Sequence, residues 1–376
     1  MGVSDPVKIT DVTVTELRAA PDREPAAAAG RFIVQVHTDE GLTGIAEGAG
    51  NAAVTRTYLH ELIKPLIVGM DPLRPRRIWE ALRLGVVLWT RFPTQVVGPI
   101  DVACWDIVGK AARLPLHALL GGALRTEIPL YWSRGDGWRK NPEEMLEEVQ
   151  EGYERGFRAF KIRMDWRDNR QDADPAKDFA IFQRCREWLP DDVPLSFDAN
   201  CGYSVPTAIE QGRRFEELGI AHFEEPLPQY DLPGLRQVVD ALDCAVSTGE
   251  GETSAWRFRD LIQIGNPDIL QPDVIIVGGL TEMLRVFELA VVHNKVLMPH
   301  SPNIGPNAAA SLHAYSTVTN AVRPHEFSEE FTGPAEVVGE IYQEPLIPEG
   351  GVIRLPDRPG LGLELDQAAL RRAAVE

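Results

Sequence analysis

Three acids recur at a fixed interval. Asp198, Glu224 and Glu250 each close a short apolar run (Ser196-Phe197-Asp198, His222-Phe223-Glu224, Thr248-Gly249-Glu250), and successive members stand 26 residues apart. Carboxylates held side by side cannot all stay ionised unless a cation joins them. An all-oxygen donor set selects a hard divalent ion, and Mg²⁺, one per subunit, keeps positions open for substrate and water. The competing reading is that each acid only caps the helix after its strand. Asp273 and His300, 27 residues apart, close the next two runs. A carboxylate on one imidazole nitrogen fixes the tautomer and raises the basicity of the other, which makes His300 a candidate general base. In Lys161-Ile162-Arg163 the two cations face the same way out of a strand; they suit an anionic substrate, or else only balance the acids. Glu326, 26 residues after His300, ends a further run and would face the same cavity. His222, His293 and His313 read as packing or surface residues.

These residues need elements that bring them to one rim. Eight short runs rich in Val, Ile and Phe alternate with amphipathic stretches: Ile128–Trp132, Ala159–Met164, Pro194–Phe197, Ala221–Phe223, Ala245–Thr248, Ile269–Val277, Lys295–Met298 and Pro324–Phe327. The helical spacers include Pro142–Arg155, Ala176–Leu189, Thr207–Leu218 and Thr281–His293. That grammar predicts a (β/α)₈ barrel, in which residues at the C-terminal ends of the strands form the active site. A doubly wound sheet is disfavoured because no Gly-x-Gly-x-x-Gly turn occurs. Before the barrel, Ile9–Leu17 and Arg31–Thr38 alternate like a strand pair, and Asn51 to Leu120 reads as helix. The domains expected are an α+β cap over 1–124, the barrel over 125–330, and a C-terminal segment, 331–376, that folds back on the cap and includes a helix at Gln367–Val375.

Composition sets the outer limits. The chain has 376 residues, 44% of them hydrophobic and 25% charged, as in a globular enzyme. Its net charge of −18 repels nucleic acid, and no basic stripe offsets that field. No apolar stretch approaches the ~20 residues of a membrane span, and Met1–Thr15 lacks the basic-then-apolar pattern of a secretory leader. Four cysteines without a Cys-x-x-Cys pair fit reduced thiols in a cytoplasmic protein.

The ordered set resembles the enolase superfamily in its mandelate racemase-like branch. The segment from Ile100-Asp101-Val102 to Gly109-Lys110 and that from Pro115 to Gly122 resemble the end of the family's capping domain. Asp198-Ala199-Asn200, Glu224-Glu225-Pro226, Gly249-Glu250 and the Asp273/His300 dyad match in order. The resemblance implies loops near Arg18–Gly30 and Glu47–Thr55 closing over the substrate, and a dimer or octamer. It also implies removal of the proton α to a carboxylate, with an ene-diolate stabilised by Mg²⁺. Asp198, Glu224 and Glu250 are then the metal ligands, and His300 is the base, oriented by Asp273. Glu326 would hydrogen-bond the substrate carboxylate, and Asn200 would point at the metal or substrate.

One position departs from the racemase pattern, which pairs His with the second Lys of a Lys-x-Lys. Arg163 stands there, and a guanidinium with a pKa above about 12 is a poor base. A one-base dehydration of an acid sugar, an aldonate or aldarate, to its 2-keto-3-deoxy product is therefore expected, with Arg163 clamping a carboxylate or hydroxyl. The alternative is a racemase or epimerase using Lys161 and His300. A zinc hydrolase would need more histidines at strand ends. Trp132, Arg134, Asn303 and Asn307 are expected at the rim, suited to a polyhydroxylated substrate.

Overall fold

The computed structural model describes residues 6–18, 31–48, 50–83, 92–166, 170–302, 304–330 and 333–375. Asn303 and most of the predicted loop Arg18–Gly30 lie outside them. Chain order begins with an antiparallel meander, β1 (Ile9–Glu16), β2 (Phe32–Thr38) and β3 (Thr43–Gly48). The helix Thr94–Ala112 lies against β3 so closely that a Cβ on Gly44 would stand 1.9 Å from the Ala103 carbonyl oxygen. Asp106 on that helix is fully buried and accepts hydrogen bonds from Ile45 N (3.1 Å), Leu361 N (2.9 Å) and Lys110 Nζ (2.9 Å). Asp101, on the same helix, accepts Thr281 Oγ1 (2.6 Å) and Thr281 N (2.8 Å), joining cap to barrel.

Eight parallel strands follow: β4 (Glu127–Arg134), β5 (Phe160–Arg163), β6 (Leu195–Asp198), β7 (Phe223–Glu224), β8 (Val246–Thr248), β9 (Ile269–Leu270), β10 (Val296–Leu297) and β11 (His325–Phe327). Each of β5 to β10 pairs with its predecessor, and β11 returns to pair with β4, so the sheet curls on itself. The predicted (β/α)₈ architecture is what forms. Between β10 and β11 the seam is bridged by Asn320, whose carbonyl accepts Leu297 N (3.2 Å) and whose Nδ2 donates to Lys295 O (2.7 Å). A short strand, β12 (Val352–Arg354), adds antiparallel to β4.

Strands such as Phe-Lys-Ile-Arg and Leu-Ser-Phe-Asp are buried throughout, as parallel strands covered on both faces must be. Outward-facing Phe197 and Phe223 pack with Phe182 and Phe215 of the surrounding helices. Inward, Tyr131, Ala159, Ile269 and Met298 form a separate apolar floor. The C-terminal segment touches cap and barrel alike: Val375 N donates to Glu16 O (2.9 Å), Arg18 N to Ala373 O (2.8 Å), and β12 rides on β4. Its last helix covers Gln367–Ala373. Among the described residues no helix is long and apolar enough to cross a membrane, and all four cysteines are free thiols.

The run expected to extend from Ile269 to Val277 pairs only at Ile269–Leu270. Pro272 has no N–H to give a ladder, and Asp273 Oδ1 accepts Ile275 N (2.7 Å) and Ile276 N (3.0 Å), turning the chain away from the sheet.

Candidate active site

The 26-residue interval brings two of the three acids into register. Asp198 and Glu224 are register partners in adjacent strands, and Arg163 is the register partner of Asp198 on the other side. Glu250 lies just past β8, on a turn that needs Gly249 at φ +124°. Asn200, Cys201 and Glu225 also take left-handed backbone at φ 47°, 61° and 40°, a cluster of strain at the strand ends of the kind that gathers at functional sites. None of the three acids caps a helix. The helices Leu232–Ala241 and Ala255–Asp260 are capped by Asp231 and Ser254, and Val205–Glu217 starts at Ser204, well beyond Asp198.

The cup is overloaded with negative charge. Burial and the neighbouring Glu224 push Asp198 well above the usual carboxylate range, and burial with Glu225 pushes Glu250 to about 8. Glu224 goes the other way: burial opposes its charge, but Lys161 holds it well below its ordinary value. Lys161 is almost wholly buried. Its Nζ pairs with Glu224 Oε1 and lies 3.1 Å from Glu326 Oε1 and 3.7 Å from Asp198 Oδ2, and against the pull of burial these charges hold it firmly protonated. Oxygen-only donors and excess negative charge fit a hard divalent cation. Among the described residues, however, no three His, Cys, Asp or Glu groups close on one point. The Lys161 ammonium stands between Asp198, Glu224 and Glu326 instead.

His300 completes the cup. Its Nδ1 lies 2.9 Å from Asp273 Oδ2, and its Nε2 faces Glu250 Oε2 (3.7 Å) and Glu326 Oε2 (3.8 Å). Burial disfavours the imidazolium, but Glu250 and Glu326 raise its pKa well above the usual value. Glu326 is buried and held low by Lys161 and His300 against desolvation, so it stands as a carboxylate and accepts Ser301 N (3.1 Å).

Several expected contacts turn out to be committed elsewhere. Asn200 points back into the protein: Nδ2 donates to Asp198 Oδ2 (3.1 Å) and Oδ1 accepts Asp165 N (2.9 Å). The Arg163 fork that was to clamp a substrate already binds Asp165 Oδ1 (2.9 Å) through Nε and Glu330 Oε2 (2.9 Å) through Nη2. Trp132 and Arg134 are not at the rim. Strand alternation turns Tyr131 and Ser133 inward, so Trp132 faces the helix layer, donating to Glu148 O (3.1 Å) and packing on Phe157 and Phe327, with Arg134 over its ring. Asn307 joins barrel to cap, accepting Glu47 N (3.2 Å) and donating to Glu47 O (3.0 Å).

Sequence reasoning missed Asp165, Glu225, Gln271 and Glu330. Glu225 is a further buried acid beside Cys201 and Gln229; burial and Glu224 raise its pKa. The repeated Glu of Glu224-Glu225 was a visible signal for it. Glu330 accepts Gly135 N at 2.8 and 2.9 Å besides Arg163 and carried no comparable mark in the sequence.

Comparison with known proteins covers both parts of the chain. Residues 7–121 match the mandelate racemase/muconate lactonizing enzyme N-terminal domain, and residues 144–369 match the enolase C-terminal domain-like family. D-galactarolactone cycloisomerase of Agrobacterium fabrum is 31% identical over 97% of this chain and 98% of its own length. Arabinonate dehydratase of Saccharolobus solfataricus is 28% identical over 87% of this chain and 86% of its own. The structure of a mandelate racemase/muconate lactonizing protein from Paracoccus denitrificans, complexed with magnesium, superposes with a TM-score of 0.87 at 29% identity over 98% of this chain and 99% of that one. The chain belongs to the mandelate racemase/muconate lactonizing enzyme family of the enolase superfamily.

Proposed function

We propose that this protein is an acid-sugar dehydratase: it removes the proton α to the carboxylate of an aldonate or aldarate and expels the β-hydroxyl, leaving a 2-keto-3-deoxy acid. The observation that carries this reading is the His300–Asp273 pair, with Nε2 of His300 turned into a cup of buried acids. Asp198, Glu224 and Glu250 would hold Mg²⁺, which when bound supplies positive charge where the substrate carboxylate gathers electrons.

The chain's own residues then divide the work. Nε2 of His300 takes the proton from C2 while Asp273 holds Nδ1–H, and the C–H electron pair moves into the carboxylate to give the ene-diolate. For Nε2 to start as a base, the negative charge around it must be offset, which is the same demand that the three acids make. The C3–O bond then breaks and His300 returns its proton to the departing hydroxide, so water and an enol result, and the enol rearranges to the ketone. Lys161, held protonated, faces the incoming anion. A substrate carboxylate brought against Glu326 raises the proton affinity of both, so the pair takes up one proton from solvent as the substrate binds. Arg163, tied to Asp165 and Glu330, keeps its charge and offers no second base.

A second reading, racemisation or epimerisation, is favoured by one observation: Lys161 Nζ and His300 Nε2 approach the two oxygens of Glu326, at 3.1 and 3.8 Å, so they flank one point. Two relatives are named cycloisomerases, a name that denotes an isomer as product rather than a dehydrated acid. Incubation with a library of aldonic and aldaric acids, with Mg²⁺ in D₂O, separates the readings. A 2-keto-3-deoxy product is expected. Deuterium at C2 of the inverted epimer, without any keto product, would replace dehydration by the two-base reaction.

A further inference from the structure

Beneath the acids, the barrel encloses two polar side chains that the proposed reaction does not use. His222 and Gln271 are both buried and both reach the same atom, Oε2 of Glu224: Nε2 of Gln271 at 2.6 Å and Nε2 of His222 at 3.3 Å. We propose that His222 and Gln271 are positioning residues for Glu224, holding its Oε2 so that Oε1 is presented to the divalent cation. The inference rests on the metal assignment made above.

Strand alternation explains the convergence. His222 stands two residues before Glu224, so both face into the barrel, and Gln271 continues β9 with its N–H on Thr248 O at 3.0 Å. The tautomer of His222 follows from its two neighbours. Ser196 Oγ lies 2.7 Å from Nδ1, and Nε2 faces a carboxylate oxygen, which can only accept. Nε2 therefore carries the hydrogen that goes to Glu224, and the serine hydroxyl stands against Nδ1. Gln271 uses half of its amide: its Oε1 is buried and makes no hydrogen bond with a described residue. An apolar side chain would sit there more comfortably, so the amide is held for the N–H that it gives Glu224. With two donors on Oε2, the carboxylate cannot rotate freely, and Oε1, now against Lys161, is the oxygen left for a metal.

The test is Mg²⁺ binding to the metal-free full-length protein by titration calorimetry, beside its melting temperature. Wild type should bind. Gln271→Leu and His222→Phe should bind about 10- to 100-fold more weakly while melting close to wild type, and His222→Gln, which can still donate an amide N–H, should recover most of the affinity. Wild-type affinity in both weakened variants, or a fall in melting temperature with no change in affinity, overturns the inference and leaves the metal assignment standing. If wild type itself binds no Mg²⁺, the metal assignment fails and the inference with it. Should one variant not fold, the other decides.

Discussion

Nδ1 of His300 stands 2.9 Å from Oδ2 of Asp273, and the other oxygen of that carboxylate is pinned by the N–H groups of Ile275 and Ile276. The acid is thus held rigidly and dictates which imidazole nitrogen faces the acids. His300→Asn should lower turnover by at least about 100-fold, and Asp273→Asn should do nearly as much by freeing the tautomer, both with little change in melting temperature. Steady-state assay of the 2-keto product checks this; an active His300→Asn enzyme would remove the base.

Arg163 is fixed by Asp165 and Glu330, an arrangement that a single ammonium group cannot reproduce. Arg163→Lys should cost about 10-fold or more in kcat/KM and should not create racemase activity, because a lysine there would be held protonated by the same two acids. Chiral analysis of recovered substrate gives the answer; appearance of the C2 epimer would show that position 163 can serve as a second base.

The cap depends on close approach. Gly44→Ala would drive a methyl group into the Ala103 carbonyl, so a loss of about 1–3 kcal/mol or more is expected from urea unfolding. Unchanged stability would mean that the helix Thr94–Ala112 does not lie against β3 as described.

Two buried histidines whose rings lie outside the cup, His313 and His325, should set an acid limit. Burial, then His117, push His313 down to about 3, and burial pushes His325 to about 4. Below the unfolded value of about 6.5 the unfolded chain takes up protons that the folded one refuses, so stability is intact above that pH and falls as pH drops through it. Each such group costs about 1.4 kcal/mol per pH unit over that range. Unfolding free energy measured from pH 7 to pH 5 should therefore fall less steeply in His313→Gln than in wild type. Equal slopes would count against the buried neutral imidazole.

Sequence spacing revealed the elements that repeat. Acids one βα unit apart had to become neighbours, and Asp198 and Glu224 are register partners. What spacing could not reveal was the use made of each side chain. Trp132 has the composition of a sugar-binding residue, but its parity along β4, shared with Phe327 and Phe160 in register, sends it outward. Arg163 was legible as an inward cation, whereas its partner Glu330 lies 167 residues away and nothing local announces the pairing. His222 read as packing because a buried imidazole carries no sign of its partner until Ser196 and Glu224 are folded beside it. Asn307 and Glu47, 260 residues apart, meet only when the cap docks.

The proton transfer itself can be watched. A sugar acid carrying deuterium at C2, turned over by Mg²⁺-loaded enzyme in H₂O and followed by NMR, should lose that deuterium as the 2-keto-3-deoxy acid forms, with neither change in the His300→Asn variant nor in enzyme stripped with EDTA. Keto product formed while His300 is absent, or formed at full rate without a divalent ion, would refute the chemistry assigned to the cup.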